Sequence, residues 1–175
     1  MNFDATFKDV IMPKEYDPRP AATRLAAVQA VYELDMMEAD VDDVLASFSA
    51  ERWLKADDEN DQEMARPKPE LLKDLVRGVS LHSAQIDAAL SPKMIQNRDV
   101  DAMETVLRAI LKTATYELLE RKNVPSRTLL MAYVAVADAF FDTNGTQSKL
   151  ISGILNAVAR RVRPEEFTAA QEANG

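Results

Sequence analysis

Apolar residues recur along this chain with the three- and four-residue spacing of amphipathic helices, and no stretch of useful length alternates as a strand would. From Pro20, a residue favoured in the first helical turn, the segment AATRLAAVQAVYELDMM places Leu25, Val28, Tyr32 and Met36 on one face, widened by Val31 and Leu34. A second helix is expected from about Asp42 to Trp53, with Val44, Leu45, Phe48 and Leu54 roughly in line. A polar loop from Lys55 to Arg66 follows. Pro67 and Pro69 then mark the start of PELLKDLVRGVSLHSAQIDAAL, which carries Leu71, Leu72, Leu75, Val76, Val79 and Leu81. Gly78 inside this helix permits a close crossing or a bend, and Ser91-Pro92 closes the section.

The second half follows the same logic. Asp101 is suited to cap DAMETVLRAILKTATYELLER, with Val106, Ile110, Thr113 and Leu118 among the inward positions. Pro125 starts PSRTLLMAYVAVADAFF, which is apolar on nearly all sides and is therefore expected to be central. Asn144-Gly145 signals a turn. In the last long helix, QSKLISGILNAVARRV, a wide stripe is formed by Leu150, Ile151, Ile154, Leu155 and Val158. Pro164 is expected to end it, with a frayed tail after Phe167. The class is all-α.

Composition agrees. Gly is scarce at 4 residues and 47% of the 175 residues are hydrophobic, which favours packed helices. No cysteine is present, so disulfides and thiolate metal sites are excluded together. The first twenty residues mix acids into their apolar positions, unlike a signal peptide, and nothing approaches the roughly 18 apolar residues of a membrane span. A cytoplasmic protein without a membrane partner is expected. Net charge is −8, which by itself argues against phosphate-rich partners. The acid is concentrated between Glu33 and Asp43 and between Glu51 and Glu63, whereas Ala159 to Pro164 reads ARRVRP. A local basic surface is compatible with this distribution.

Enzyme signatures are missing. The one histidine, His82, has no second ligand or base adjacent to it in sequence, and no Gly-rich phosphate loop, G-x-S-x-G or Glu-x-x-His pattern occurs. No catalytic residue, metal or cofactor is therefore assigned. Trp53, beside acidic residues, reads as packing under a loop.

Three stretches, in this order, resemble the NusB family. ATRLAAVQAVYEL is similar to that family's opening helix, with Ala27-Val28-Gln29-Ala30-Val31-Tyr32 in its register. LRAILKTATYELLERKNVPSRTLLMAYVAVADAFF resembles its leucine-rich helix, Y-E-L element, polar turn and proline-started helix. SKLISGILNAVARRVRP resembles its closing helix. The match runs from about 18 to 165 and looks nearest to the alphaproteobacterial branch. It implies two packed three-helix subdomains, about seven helices in all. The expected layout is a flexible arm at 1–19, one helical domain at 20–166 with subdomains near 20–91 and 99–166, and a flexible tail at 167–175.

The resemblance also implies a function. Such proteins pair with the ribosomal protein that doubles as NusE, bind single-stranded boxA RNA of ribosomal transcripts, and join the antitermination complex on RNA polymerase. Arg19 and Arg24, with Lys14, match the basic entry to the first helix, where guanidinium groups contact phosphate. Two arginines at a helix start are equally ordinary surface charge. Tyr32 aligns with a tyrosine that contacts RNA and suits stacking on an unpaired base. Its place on the Leu25/Val28 stripe also fits a core residue. Gln29 lies one turn earlier, within reach of a base edge or simply solvated.

Lys149 matches a family lysine on the RNA surface, and Lys112 keeps positive charge where arginine is common. Leu150 stands where a stacking phenylalanine is usual, and leucine has no π-face. Ser152 replaces an asparagine, and Met131-Ala132 replaces an Asn-Glu pair. The implied RNA-binding set is Arg19, Arg24, Gln29, Tyr32, Lys112, Lys149 and Leu150. Its thinness leaves a second reading open, a protein-only adaptor that keeps its partner surface without reading RNA. Arg160, Arg161 and Arg163 could meet phosphate or compensate the dipole at the end of the last helix.

Overall fold

The computed structural model describes residues 17–48, 65–91, 104–141 and 145–172, with side chains to 168. Lys14, Trp53, Leu54, Pro92, Asp101 and Asn144 lie outside these residues. The described chain is entirely helical: α1 (Arg19–Met37), α2 (Val41–Ser47), α3 (Pro69–Leu81), α4 (Ser83–Ala89), α5 (Thr105–Glu120), α6 (Ser126–Phe140), α7 (Thr146–Val162) and α8 (Pro164–Glu172). No helix among them is long and apolar enough to cross a membrane.

Local chemistry sets the boundaries. Proline occupies the first turn of α1 and of α3, where its missing N–H costs nothing. The Asp40 carboxylate accepts the Asp42 N–H at 2.8 Å and caps α2. Gly145, at φ +69°, takes the left-handed conformation that leads into α7. The single third helix expected from the pattern is broken at His82, whose φ of −105° leaves the helical region. There the Gly78 carbonyl meets both the His82 backbone N–H, at 2.9 Å, and its ring Nδ1, at 3.0 Å. α7 ends at Val162, before Pro164 as expected, and Pro164 opens the short helix α8, since proline suits a first helical position; residues through Glu172 are helical.

The most extensive packing is of α1 on α5, α6 on α7, and α1 on α3. α1 and α5 run antiparallel, since Arg24 meets Glu117 while Asp35 meets Lys112. The central helix is α5, which also touches α3, α4, α6 and α7 and buries Leu107, Ile110, Leu111 and Leu118. α6, expected at the centre, buries Leu129, Tyr133, Val136 and Ala137 but leaves Met131 65% exposed. α1 buries the face of Arg24, Ala27, Val28 and Val31, while Tyr32 and Leu25 are half-buried and Met36 is exposed. Its inner face is thus turned by about one residue, roughly 100°, from the expected stripe.

The turn has a polar cause. The Arg24 Nε and Nη2 donate to the two Glu117 oxygens at 2.7 and 3.0 Å, and the Tyr133 hydroxyl donates to the same carboxylate at 2.6 Å. Burial opposes the Arg24 charge, but the hydrogen bonds and attraction to Glu117 outweigh it and hold the arginine pKa above its ordinary value. Burial, followed by the charge of Glu117, pushes the Tyr133 hydroxyl well up. Gly78 serves a second close contact. A Cβ there would lie 2.0 Å from Tyr116 Cζ, so only glycine admits the ring of α5 against α3. Burial and a hydrogen bond to Asp74 raise Tyr116 to about 12.

Candidate nucleic-acid interface

Gln29 and Tyr32 come together on the outer side of α1. With Val106 of α5 and Phe140 at the end of α6, they line an open cleft of about 330 Å³, bordered by Glu33. Tyr32 is half-buried: its ring packs against the core on one side and opens into the cleft on the other. The side chain thus belongs in part to the core and in part to the cleft wall. In the sequence Phe140 is one residue of an apolar helix. The signal available in sequence was a pair of phenylalanines directly before a turn.

α7 begins beside the same end of α6. The Ser148 hydroxyl donates to Asp138, two residues before Phe140. Lys149 follows and is exposed, while Leu150 turns partly into the core. The end of α6 thus links the Tyr32 cleft to the first turn of α7.

The other named residues lie elsewhere. Arg19 is exposed and held by Asp17 through paired contacts of 2.8 and 3.0 Å, and those hydrogen bonds pull the Asp17 carboxyl well below the carboxylate range. It sits about 20 Å from Tyr32 along α1 at the usual helical rise. Arg24 is 7% exposed and bound to Glu117, which takes it out of any solvent-facing patch. A cation joins a buried surface when a matched carboxylate awaits it, and hydropathy does not show this. Lys112 donates to both Asp35 oxygens, at 3.1 and 3.0 Å, beside Arg108. It opens onto a different cleft, lined by Leu34, Val41 and Val79.

The basic run near the C-terminus divides. Arg163 is fully buried and donates to the carbonyls of Glu117, Leu118, Arg121 and Val124 at 2.6–3.0 Å. It therefore satisfies the C-terminal carbonyls of α5 rather than those of its own helix. Arg160 and Arg161 remain exposed in the last turn of α7.

The NusB family model matches residues 21–160. The chain belongs to the NusB family. Among curated relatives, it is 33% identical over 150 residues to the transcription antitermination protein NusB of Rhodopseudomonas palustris strain BisB18, covering 86% of each chain. Among solved structures, NusB from T. maritima superposes with a TM-score of 0.68 at 22% identity, covering 88% of this chain and 99% of that one. A chain from a complex of antitermination factors NusB and NusE with double-stranded RNA gives 0.66 at 17%, covering 83% and 99%. The family match spans α1 to nearly the end of α7 and so contains the whole Tyr32 cleft. Arg163 lies just beyond it.

Proposed function

We propose that this chain is an RNA-binding antitermination factor that pairs with NusE; its curated relatives are named transcription antitermination protein NusB. The complex of NusB and NusE with RNA, whose NusB-like chain shares this fold, supports the same reading. The partners are then a single-stranded boxA-like RNA, NusE, and the antitermination complex on RNA polymerase. The observation that carries it is the Gln29–Tyr32–Phe140 cleft, with Lys149 exposed in the first turn of α7, the helix that follows Phe140 in the chain. Two aromatic rings offer faces to an unpaired base, Gln29 offers a donor and an acceptor for a base edge, and Lys149 offers a charge for phosphate. Phe140 supplies the π-face that Leu150 lacks. Arg19 remains an exposed cation further along α1, and Lys112 and Arg24 serve the fold.

Fluorescence anisotropy with a boxA-like oligoribonucleotide, with and without NusE, tests the reading. Binding should tighten when NusE is added. Tyr32→Ala and Phe140→Ala should each weaken it by about tenfold, the usual loss of one stacked base. Lys149→Glu should weaken it less, and more at low salt. Absence of binding at low salt with NusE present would rule the proposal out.

A further inference from the structure

α6 carries more apolar surface than its own bundle buries. Its outer face presents Leu130 and Val134 half-buried, Met131 at 65% exposure and Ala135 open to solvent. Together with Ser152 and Asn156 of α7 and Phe167 of α8, this face forms a groove of about 690 Å³. Monomeric surfaces tolerate isolated apolar residues, but a continuous apolar groove of this size is characteristic of a binding site.

The charges around it are uneven. At the end formed by the start of α6 and the end of α7 stand Arg127, Arg160 and Lys122, all exposed. The guanidinium of Arg160 lies 4.7 Å from the centroid of the Phe167 ring, at the groove wall. The acids lining the groove are engaged: Glu166 accepts from Ser126 and Arg163, and Asp138 accepts from Ser148. On a protein of net charge −8, this cationic end is a local exception. From Arg127 to Asp138 the floor runs about 16 Å, which matches about three turns of a docked helix.

We propose that the groove between α6 and α7 docks an amphipathic helical segment of another protein, acidic at the end that meets Arg127 and Arg160. The apolar floor takes anchors at i, i+4 and i+7, and the cationic rim sets the direction in which the segment lies. This surface is separate from the Tyr32 cleft and does not depend on RNA recognition.

The test uses two synthetic peptides of about 15 residues with the same leucine anchors, one with Asp and Glu in its first turn and one with Lys there. Binding to the full chain is followed by anisotropy and by backbone amide shifts. The acidic peptide should bind, shifting the amides of Leu130, Met131 and Val134, and the lysine peptide should bind about tenfold more weakly or not at all. R127E combined with R160E should remove that preference, and M131D should abolish binding. These three side chains are solvent-facing, so circular dichroism and RNA affinity should stay unchanged in each variant. Equal binding of both peptides, or of neither, overturns the proposal. So does self-association of the chain that M131D abolishes, since a second copy would then be the occupant.

Discussion

Arg24 and Glu117 form a buried ion pair, and what such a pair contributes depends on what replaces it. With the Glu117 carboxylate fully buried and Arg24 at 7% exposure, removing the arginine leaves Glu117 with only Arg121, at 3.3 Å, and the Tyr133 hydroxyl. Arg24→Met should therefore lower unfolding stability by about 3 kcal/mol in urea titration, and adding Glu117→Leu together with Tyr133→Phe, which removes the hydroxyl that Glu117 accepts from, should recover most of the loss. If Arg24→Met proves neutral, the pair is not buried as described. This residue also shows where sequence reading reaches its limit. The resemblance places Arg24 on the RNA surface, at the basic entry to the first helix. Its partner lies 93 positions away, and no local pattern announces it. Tyr32, by contrast, is half-buried as its place on the apolar stripe suggests, and the rest of its ring lines the cleft.

At the scale of elements, proline and glycine marked the boundaries well. Pro20, Pro69 and Pro125 each stand at the start of a helix, and Gly145 sits at the turn into α7. The break at His82 has no signature in the apolar spacing, which does not register a ring nitrogen lying 3.0 Å from the Gly78 carbonyl one turn back. The suspected close crossing at Gly78 is present, with the Tyr116 ring occupying the space a Cβ would need. Gly78→Ala should cost about 2 kcal/mol or more by overpacking, despite alanine's better helix propensity. In a Tyr116→Leu background the same change should cost less, because the two positions share one contact. A stabilised Gly78→Ala variant would contradict the geometry. The rank of the helices was misread for a related reason. α6 is the more uniformly apolar, yet α5 is central: its Thr113, Tyr116 and Glu117 side chains have hydrogen-bond partners, and α6's apolar surplus faces the groove.

For the whole molecule, the helical class and the order of its elements were readable, whereas the distribution of usable charge was not. Arg24, Lys112 and Arg163 are occupied within the fold, so few cations remain near the Tyr32 cleft. RNA binding by the chain alone should then depend weakly on salt. A slope of about −1 in log K against log salt is expected for one or two phosphate contacts to a single strand. A slope near −4 would mean that basic residues far from the cleft take part.

The clamp made by Arg163 has a consequence for synthesis. Its guanidinium serves a carbonyl made 45 residues earlier, at Leu118. While the ribosome is still adding those residues, the end of the middle helix must keep its carbonyls in water. The nascent chain can assemble α1 against α5 early, but it locks the turn at Val124 only when the last long helix has emerged.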